Sequence, residues 1–258
     1  MVQSVLLVED DELNQLIART LLGAWPVSII VASHGQQAID RITDSAVDLI
    51  LMDLVMPVLS GIDATRTIRR LPNGGVPIVA MTSTIRPGDE QRFIEAGIND
   101  WIAKPVGARD FATIINRWLP GLAGSKAPAP AAEKIDFTGL TRQGFNTSEA
   151  LANLLNNGSL YTSLLRSFCR HRAGIVSELD HELQESDLEQ ATTIVHSLKS
   201  TAAALGMDHL SALASNLESN YQSGRTNTEL LSKMSVELGD CLRAINFWLS
   251  TQPSACRD

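Results

Sequence analysis

Asp53 closes an apolar run, Leu49 to Met52, that suits a strand buried on both faces. A carboxylate there needs a cation, a proton or a reaction to offset its burial. Pro57 stops any regular continuation, and the next helix begins near Ser60, too late for Asp53 to cap it. Other polar residues stand in the same kind of place. Glu9 and Asp10 follow Val5–Val8, Thr82 follows Val76–Met81, and Lys104 follows Trp101–Ala103. Clustered carboxylates repel one another unless a hard cation joins them, and oxygen donors of this kind suit Mg²⁺. Lys104 is a point charge for a phosphoryl oxygen, and the Thr82 hydroxyl donates to another. Asp53 beside such a cation would be a carboxylate nucleophile for a phosphoryl group. Taken singly, Asp10 or Asp11 would cap a helix, Thr82 would cap another, and Lys104 would be solvated. As a set at this spacing they read as one site.

A second candidate stands far down the chain. On a wheel of about 100° per residue, Ala191, Ile194, Val195, Leu198, Ala202 and Leu205 share one side. His196 points nearly opposite, with Lys199, Ser200 and Ala203 beside it. The expectation is a solvent-facing histidine with a lysine one turn on and small neighbours that admit a docking partner. A neutral imidazole nitrogen attacks phosphoryl groups, and a nearby ammonium binds their oxygens. His34, His171, His181 and His209 share no metal-ligand spacing.

The elements that would position these residues follow in order. Strands at Val5–Val8, Val27–Ala32, Asp48–Asp53, Val76–Met81 and Trp101–Ala103 alternate with helices at Leu13–Leu21, Gln36–Ile42, Ile62–Leu71, 88–96 and 108–119. That alternation predicts a doubly wound α/β domain with a five-stranded parallel sheet covered on both faces. In the flavodoxin-like order 2-1-3-4-5, strands 1, 3, 4 and 5 are neighbours, and their carboxyl ends open on one ligand crevice. Glu9, Asp10, Asp53, Thr82 and Lys104 would all meet there. Residues 121–134 form a Pro/Ala/Gly tether that reaches roughly 40 Å when extended at about 3.1 Å per residue. The expected domains are 1–120 and 135–258. In the second, 147–155 is a short helix and Leu160 to Leu183 traces a long amphipathic one. Asp187 with Gln190, and Thr226 with Glu229, look like capping boxes opening later helices, and Gly206 and Gly224 close two of them. Long helices with short connections predict a four-helix bundle.

Residues 4–119 resemble the receiver domain of response regulators. Glu9-Asp10, Asp53, Met56-Pro57, Gly61, Thr82 and Lys104-Pro105 match that pattern position by position. The resemblance implies phosphorylation at Asp53, with Glu9, Asp10, Asp53 and the main-chain carbonyl of Val55 around Mg²⁺. It implies a cis peptide between Lys104 and Pro105. It also implies a switch coupling Thr82 to the aromatic three residues before the lysine, usually Tyr or Phe and here Trp101. Residues 145–224 resemble a histidine phosphotransfer (Hpt) domain through His196-Ser-Leu-Lys199 and Leu205-Gly206, with Ser200 where the family usually has Gly. The resemblance implies phosphorylation at His196, with Lys199 beside it.

Charge and composition narrow the partners. The net charge is −8; residues 1–122 carry 14 acidic and 10 basic side chains, and residues 135–258 carry 14 and 9. With no basic stripe, nucleic acid is not an expected partner. No stretch reads as a signal peptide or membrane span. Cys169, Cys241 and Cys256 lack disulfide or metal spacing, so a cytoplasmic setting is expected.

The leading reading is a phosphorelay protein that takes phosphoryl groups from a sensor histidine kinase and passes them through His196 to a downstream response-regulator receiver. It is not expected to be an ATP-dependent enzyme, because no Gly-rich nucleotide motif is present. Direct contact between receiver and Hpt domain, a receiver that regulates or drains the Hpt domain, and a chain that is the C-terminal part of a hybrid sensor kinase all stay open. An aspartate-dependent phosphatase would need a second Asp two residues after Asp53, where Val55 stands. A scaffold with degenerate sites is a further alternative, and phosphate labelling separates it from the rest.

Overall fold

The structure is a computed structural model, and it describes residues 2–83, 85, 88–122 and 135–252. The chain divides into two compact units, Met1–Ala129 and Pro130–Asp258. Most of the expected tether, residues 123–134, lies outside the described residues, as does Cys256.

The first unit alternates strand and helix: β1 (Gln3–Val8), α1 (Glu12–Leu22), β2 (Val27–Ala32), α2 (Gly35–Asp44), β3 (Leu49–Asp53), α3 (Gly61–Ile68), β4 (Ile78–Thr82), α4 (Asp89–Ala96), β5 (Asp100–Ala103) and α5 (Ala108–Trp118). All neighbouring strands are parallel, in the order β2-β1-β3-β4-β5. Every residue of β3 and β4 is buried, as a sheet covered on both faces requires. Leu6, Ile50, Ile78 and Phe93 belong to one apolar core.

Register places the chemistry. Val8 pairs with Met52, so Glu9 stands level with Asp53. Asp53 pairs with Met81, and Thr82 pairs with Ala103, so Thr82 and Lys104 step outward from the same edge. Gly61 opens α3 directly against this edge: a Cβ there would lie 2.0 Å from the Asp53 carbonyl oxygen. Only glycine allows the helix to approach the end of β3 so closely.

The second unit is helical. α6 (Thr138–Thr141) and α7 (Thr147–Asn153) precede α8 (Gly158–Arg172), α9 (Ile175–Gln184), α10 (Leu188–Ala204), α11 (Asp208–Gln222) and α12 (Thr228–Thr251). α9 packs on α10, α10 on α11, α11 on α12, and α12 on α8, which closes the bundle. The expected single helix from Leu160 to Leu183 is two, broken at Ala173-Gly174, where glycine is the poorest helix former short of proline. Its apolar stripe runs on across the break, which is why the pattern reads as continuous. Asp187 caps α10 by accepting the Gln190 amide at 2.8 Å. The cap of α12 is Asn227, not Thr226. Asn227 accepts from Leu230 N at 3.0 Å, and Glu229 is engaged with Lys233 instead.

Gly206 ends α10 with φ +74, and a Cβ there would meet the Asn146 carbonyl oxygen at 2.5 Å. The Asn146 amide donates to the Gly206 carbonyl at 2.7 Å, so the two segments meet backbone to backbone. Gly206→Ala should therefore destabilise the helical unit by about 2–3 kcal/mol. Urea unfolding of the full chain, read on the helical circular dichroism signal, checks this; an unchanged midpoint would contradict it.

Candidate functional site

The carboxyl ends of β1, β3 and β5 gather a charge cluster. Lys104 Nζ donates to Glu9 Oε2 at 2.6 Å and to Asp53 Oδ2 at 2.5 Å. All three side chains are buried. Asp53 Oδ1 accepts the Val55 amide at 3.1 Å, and Glu9 Oε1 accepts the Asn14 amide group at 3.0 Å. Asp11, not Asp10, caps α1, accepting from Leu13 N and Asn14 N. Ser60 caps α3, and Gly88 stands at the head of α4. Asp10, Asp53 and Thr82 are thereby left to the crevice.

One carboxylate oxygen from each of Glu9, Asp10 and Asp53 lies within 4.8 Å of the others. Their three formal negative charges face the single positive charge of Lys104. Burial, with help from the Asp53 charge, lifts the Asp10 carboxyl to about 6 and pushes Glu9 well above its ordinary range. Burial opposes the Lys104 charge too, but Asp53 and Glu9 outweigh it and hold the ammonium above its usual value. Burial and mutual repulsion disfavour the ionised form of these crowded carboxylates, and a small, hard divalent cation among their oxygens would stabilise it. The residues fit Mg²⁺ on that ground.

Thr82 is buried at the end of β4, and its carbonyl accepts the Lys104 amide at 2.7 Å. The Lys104–Pro105 peptide is cis, as the resemblance implied. Trp101 lies half-buried on β5 opposite Ala80, its ring 5.8 Å from that of Phe93 on α4. The aromatic expected to move with Thr82 is thus packed against α4.

His196 departs from expectation. It is 3 % exposed, with Lys199 at 6 % and Ser200 at 4 %, so this face of α10 is buried rather than open to solvent. The wheel marks only the apolar stripe. The opposite side packs on α11 through a seam of small and charged residues, and every residue from Val195 to Ala202 is buried. Glu218 on α11 supplies the charge this seam needs. One oxygen meets His196 Nδ1 at 2.6 Å, and the other accepts Lys199 Nζ at 2.5 Å. Burial alone would raise the Glu218 carboxyl, but His196 and Lys199 together hold it below the usual glutamate range. An ionised carboxylate only accepts, so Nδ1 carries a proton, and in the neutral imidazole the lone pair is then on Nε2. That is the tautomer a nucleophilic histidine needs.

Glu218 escaped the sequence reading. It lies 22 residues from His196 on another helix, amid polar neighbours, and nothing in its local pattern marks it. Arg172 escaped too. It is buried at the end of α8 and donates to Ser197 Oγ at 2.9 Å and Thr201 Oγ1 at 3.1 Å, fixing α10 from another side. His34 has a local duty, its Nδ1 accepting the Gln37 amide at the head of α2.

Comparison with known proteins gives two family matches: residues 5–116 match the response regulator receiver domain, and residues 163–247 match the Hpt domain. The two-component response regulator ORR41 of Oryza sativa subsp. japonica is 42% identical over 120 residues, covering 44% of this chain and 92% of that protein. The aerobic respiration control sensor protein ArcB of Escherichia coli (strain K12) is 28% identical over 226 residues, covering 84% of this chain and 28% of its own length. The hybrid signal transduction histidine kinase I of Dictyostelium discoideum is 38% identical over 122 residues, 44% of this chain and 7% of that protein. The chain thus spans less than a third of either kinase.

Proposed function

We propose, from the premise that this chain belongs to the response-regulator receiver family and carries an Hpt domain behind it, that it is a phosphorelay protein with acceptor sites at Asp53 and His196. The observation that carries this reading is the meeting of Glu9, Asp10, Asp53 and Lys104 at adjoining strand ends. Asp53 Oδ is the attacking atom, and the Val55 amide orients the carboxylate through its other oxygen. Lys104, shared between Asp53 and Glu9, is placed to follow the charge onto an incoming phosphoryl oxygen. Thr82 offers its hydroxyl from the next strand. Glu9, Asp10, Asp53 and the Val55 carbonyl are the proposed holders of Mg²⁺, which when bound neutralises the charge on the phosphoryl group. In the second domain Glu218 holds the Nδ1 proton, so that Nε2 attacks, and Lys199 is the cation for the transferred group.

The donor in this reading is a sensor histidine kinase, and the acceptor beyond His196 is the receiver domain of a separate response regulator. Both family matches are phosphotransfer modules, which supports a transfer protein rather than an ATP-using kinase. The ArcB alignment runs through both halves of this chain, which equally supports the same pair of domains working inside a hybrid kinase. Among the described residues no helix is long and apolar enough to cross a membrane, and a cytoplasmic site of action fits the chemistry.

Exchange between Asp53 and His196 is the sharpest form of the proposal. Two domains on one chain meet at an effective concentration on the order of millimolar if their faces fit. Protein lacking His196, labelled on Asp53 by acetyl phosphate and then freed of donor, is mixed with Asp53→Asn protein. Label should appear on His196 of the second protein, and at a concentration-independent rate within the intact chain. Label that stays where it started, at every concentration, would leave two separate modules on one string.

A further inference from the structure

The chain puts serine where the residue after the Hpt lysine is usually glycine, and that serine has an unusual setting. Ser200 is 4 % exposed, and its Oγ has no hydrogen-bond partner among the described residues. Other hydroxyls on the same helix behave differently. Those of Thr192, Thr193 and Thr201 each donate to the carbonyl four residues back, at 2.6, 3.2 and 2.6 Å. The carbonyl four residues behind Ser200 is that of His196, and the Ser200 hydroxyl does not use it. Burial of a hydroxyl without a partner is unfavourable, and such a group invites a search for the partner it is kept for.

Helical spacing supplies one. His196, Lys199 and Ser200 stand at i, i+3 and i+4, so Lys199 and Ser200 both lie one turn beyond the histidine on its own face. Glu218 occupies Nδ1 of His196 and the ammonium of Lys199. A phosphoryl group on His196 therefore enters at Nε2, on a face that offers it one buried cation and one buried hydroxyl. We propose that Ser200 is a third phosphoryl-binding group of this site, its hydroxyl donating to an oxygen of the phosphoryl group on His196. The inference rests on His196 being the acceptor. In the transfer step the Nε2–P bond forms as the donor's bond to phosphorus breaks. The leaving group takes that bonding pair, and His196 keeps its Nδ1 proton against Glu218. Ser200 neither gains nor loses a proton; it supplies a hydrogen bond that exists only once the group has arrived.

A serine retained for packing alone would behave otherwise, and the sign of the effect separates the two. Removing an unpartnered hydroxyl should leave the unphosphorylated chain as stable as before or raise its melting temperature. The phosphorylated chain should lose about tenfold in its equilibrium hold on the group, the scale of one hydrogen bond to a charged oxygen. The full chain carrying Asp53→Asn is labelled with phosphoramidate at fixed ammonium concentration, and the fraction phosphorylated on His196 is read by intact mass. Ser200→Ala and Ser200→Gly in the same background should each shift that equilibrium about tenfold toward free donor. Each should also move the ³¹P resonance of the phosphohistidine. Two variants guard against a packing artefact in either one. Equal fractions and an unmoved resonance in both would overturn the role of Ser200 while leaving His196 as acceptor. No label on the Asp53→Asn chain, or label that persists in its His196→Gln variant, would overturn both.

Discussion

Asp53→Asn should take up no phosphoryl group in its receiver domain when the full chain is incubated with acetyl phosphate and Mg²⁺, a fall of at least about 10³-fold. The asparagine is nearly the same shape, and its carbonyl oxygen still accepts the Val55 amide now held at 3.1 Å. What it lacks is the anionic oxygen proposed to attack phosphorus and the charge proposed to draw a cation to Glu9 and Asp10. The fold should survive, because Lys104 keeps Glu9, 2.6 Å away, as its partner. Lys104→Ala is the instructive contrast. It leaves the buried Glu9 and Asp53 facing each other without a cation, a change that costs about 3–5 kcal/mol when a buried pair loses one member. That variant should lose labelling and stability together, whereas Asp53→Asn loses labelling alone. Labelling is followed by mass on base-treated and untreated samples, since acyl phosphates are cleaved by base. Full labelling of the Asn variant would sink Asp53 as the acceptor.

His196→Gln should abolish the second site outright, and Glu218→Gln should weaken it on two counts. The carboxylate holds Nδ1–H and Lys199 Nζ with separate oxygens, and a neutral amide cannot accept with its nitrogen. Either the hold on the Lys199 ammonium or the tautomer of the imidazole is then lost. Orienting groups of this kind typically contribute 10- to 100-fold, roughly the fall expected in the rate of His196 labelling. The same substitution reports on stability through pH. The Glu218 carboxyl is held below its ordinary range in the folded chain, so the unfolded chain takes up a proton first as pH falls. Its contribution to stability is therefore full above the ordinary glutamate range and is lost as pH drops through the depressed value. The stability gap between the unsubstituted chain and Glu218→Gln should be widest near neutrality and close in acid. A gap that stays constant with pH would show that Glu218 acts there by shape alone.

Burial of His196 also changes what a docking partner must do. The wheel places His196 on an outward face, ready to enter a receiver crevice. In the structure that face is packed against α11, with Glu218 bonded to both functional side chains. In the proposed relay a phosphoryl donor would have to displace packing around Nε2 before transfer, and the cation it would meet first, Lys199, starts in an ion pair. Transfer from a protein partner, whose surface can replace the packing it disturbs, should therefore exceed transfer from a small donor by more than concentration explains.

The receiver site was legible in the sequence because a parallel sheet converts chain order into position. Each of Glu9, Asp53, Thr82 and Lys104 sits at or just past the end of a short apolar strand, and strands that run the same way put those ends on one edge. Once the strand order is known, no distant packing is needed to predict that they meet. Asp10 was read into the same crevice with a rival role as helix cap left open, and the structure removes that rival by giving the cap of α1 to Asp11. The helical unit was legible in outline for a related reason: its caps and closing glycines act within a few residues of where they stand. Its site was half hidden. A helical wheel reports one helix against an average surrounding, and it registers the strongest apolar stripe. It has no means of showing that a second, polar face is buried when the compensating charge comes from elsewhere. Glu218, 22 residues beyond His196, is such a charge, and the break at Ala173-Gly174 is hidden in the same way beneath a stripe that continues across it. Local periodicity and spacing pointed to the side chains proposed to carry the chemistry. Tertiary packing alone decided which of them are buried and that one carboxylate, Glu218, bonds both His196 and Lys199, because a buried charge finds its partner across space and not along the chain.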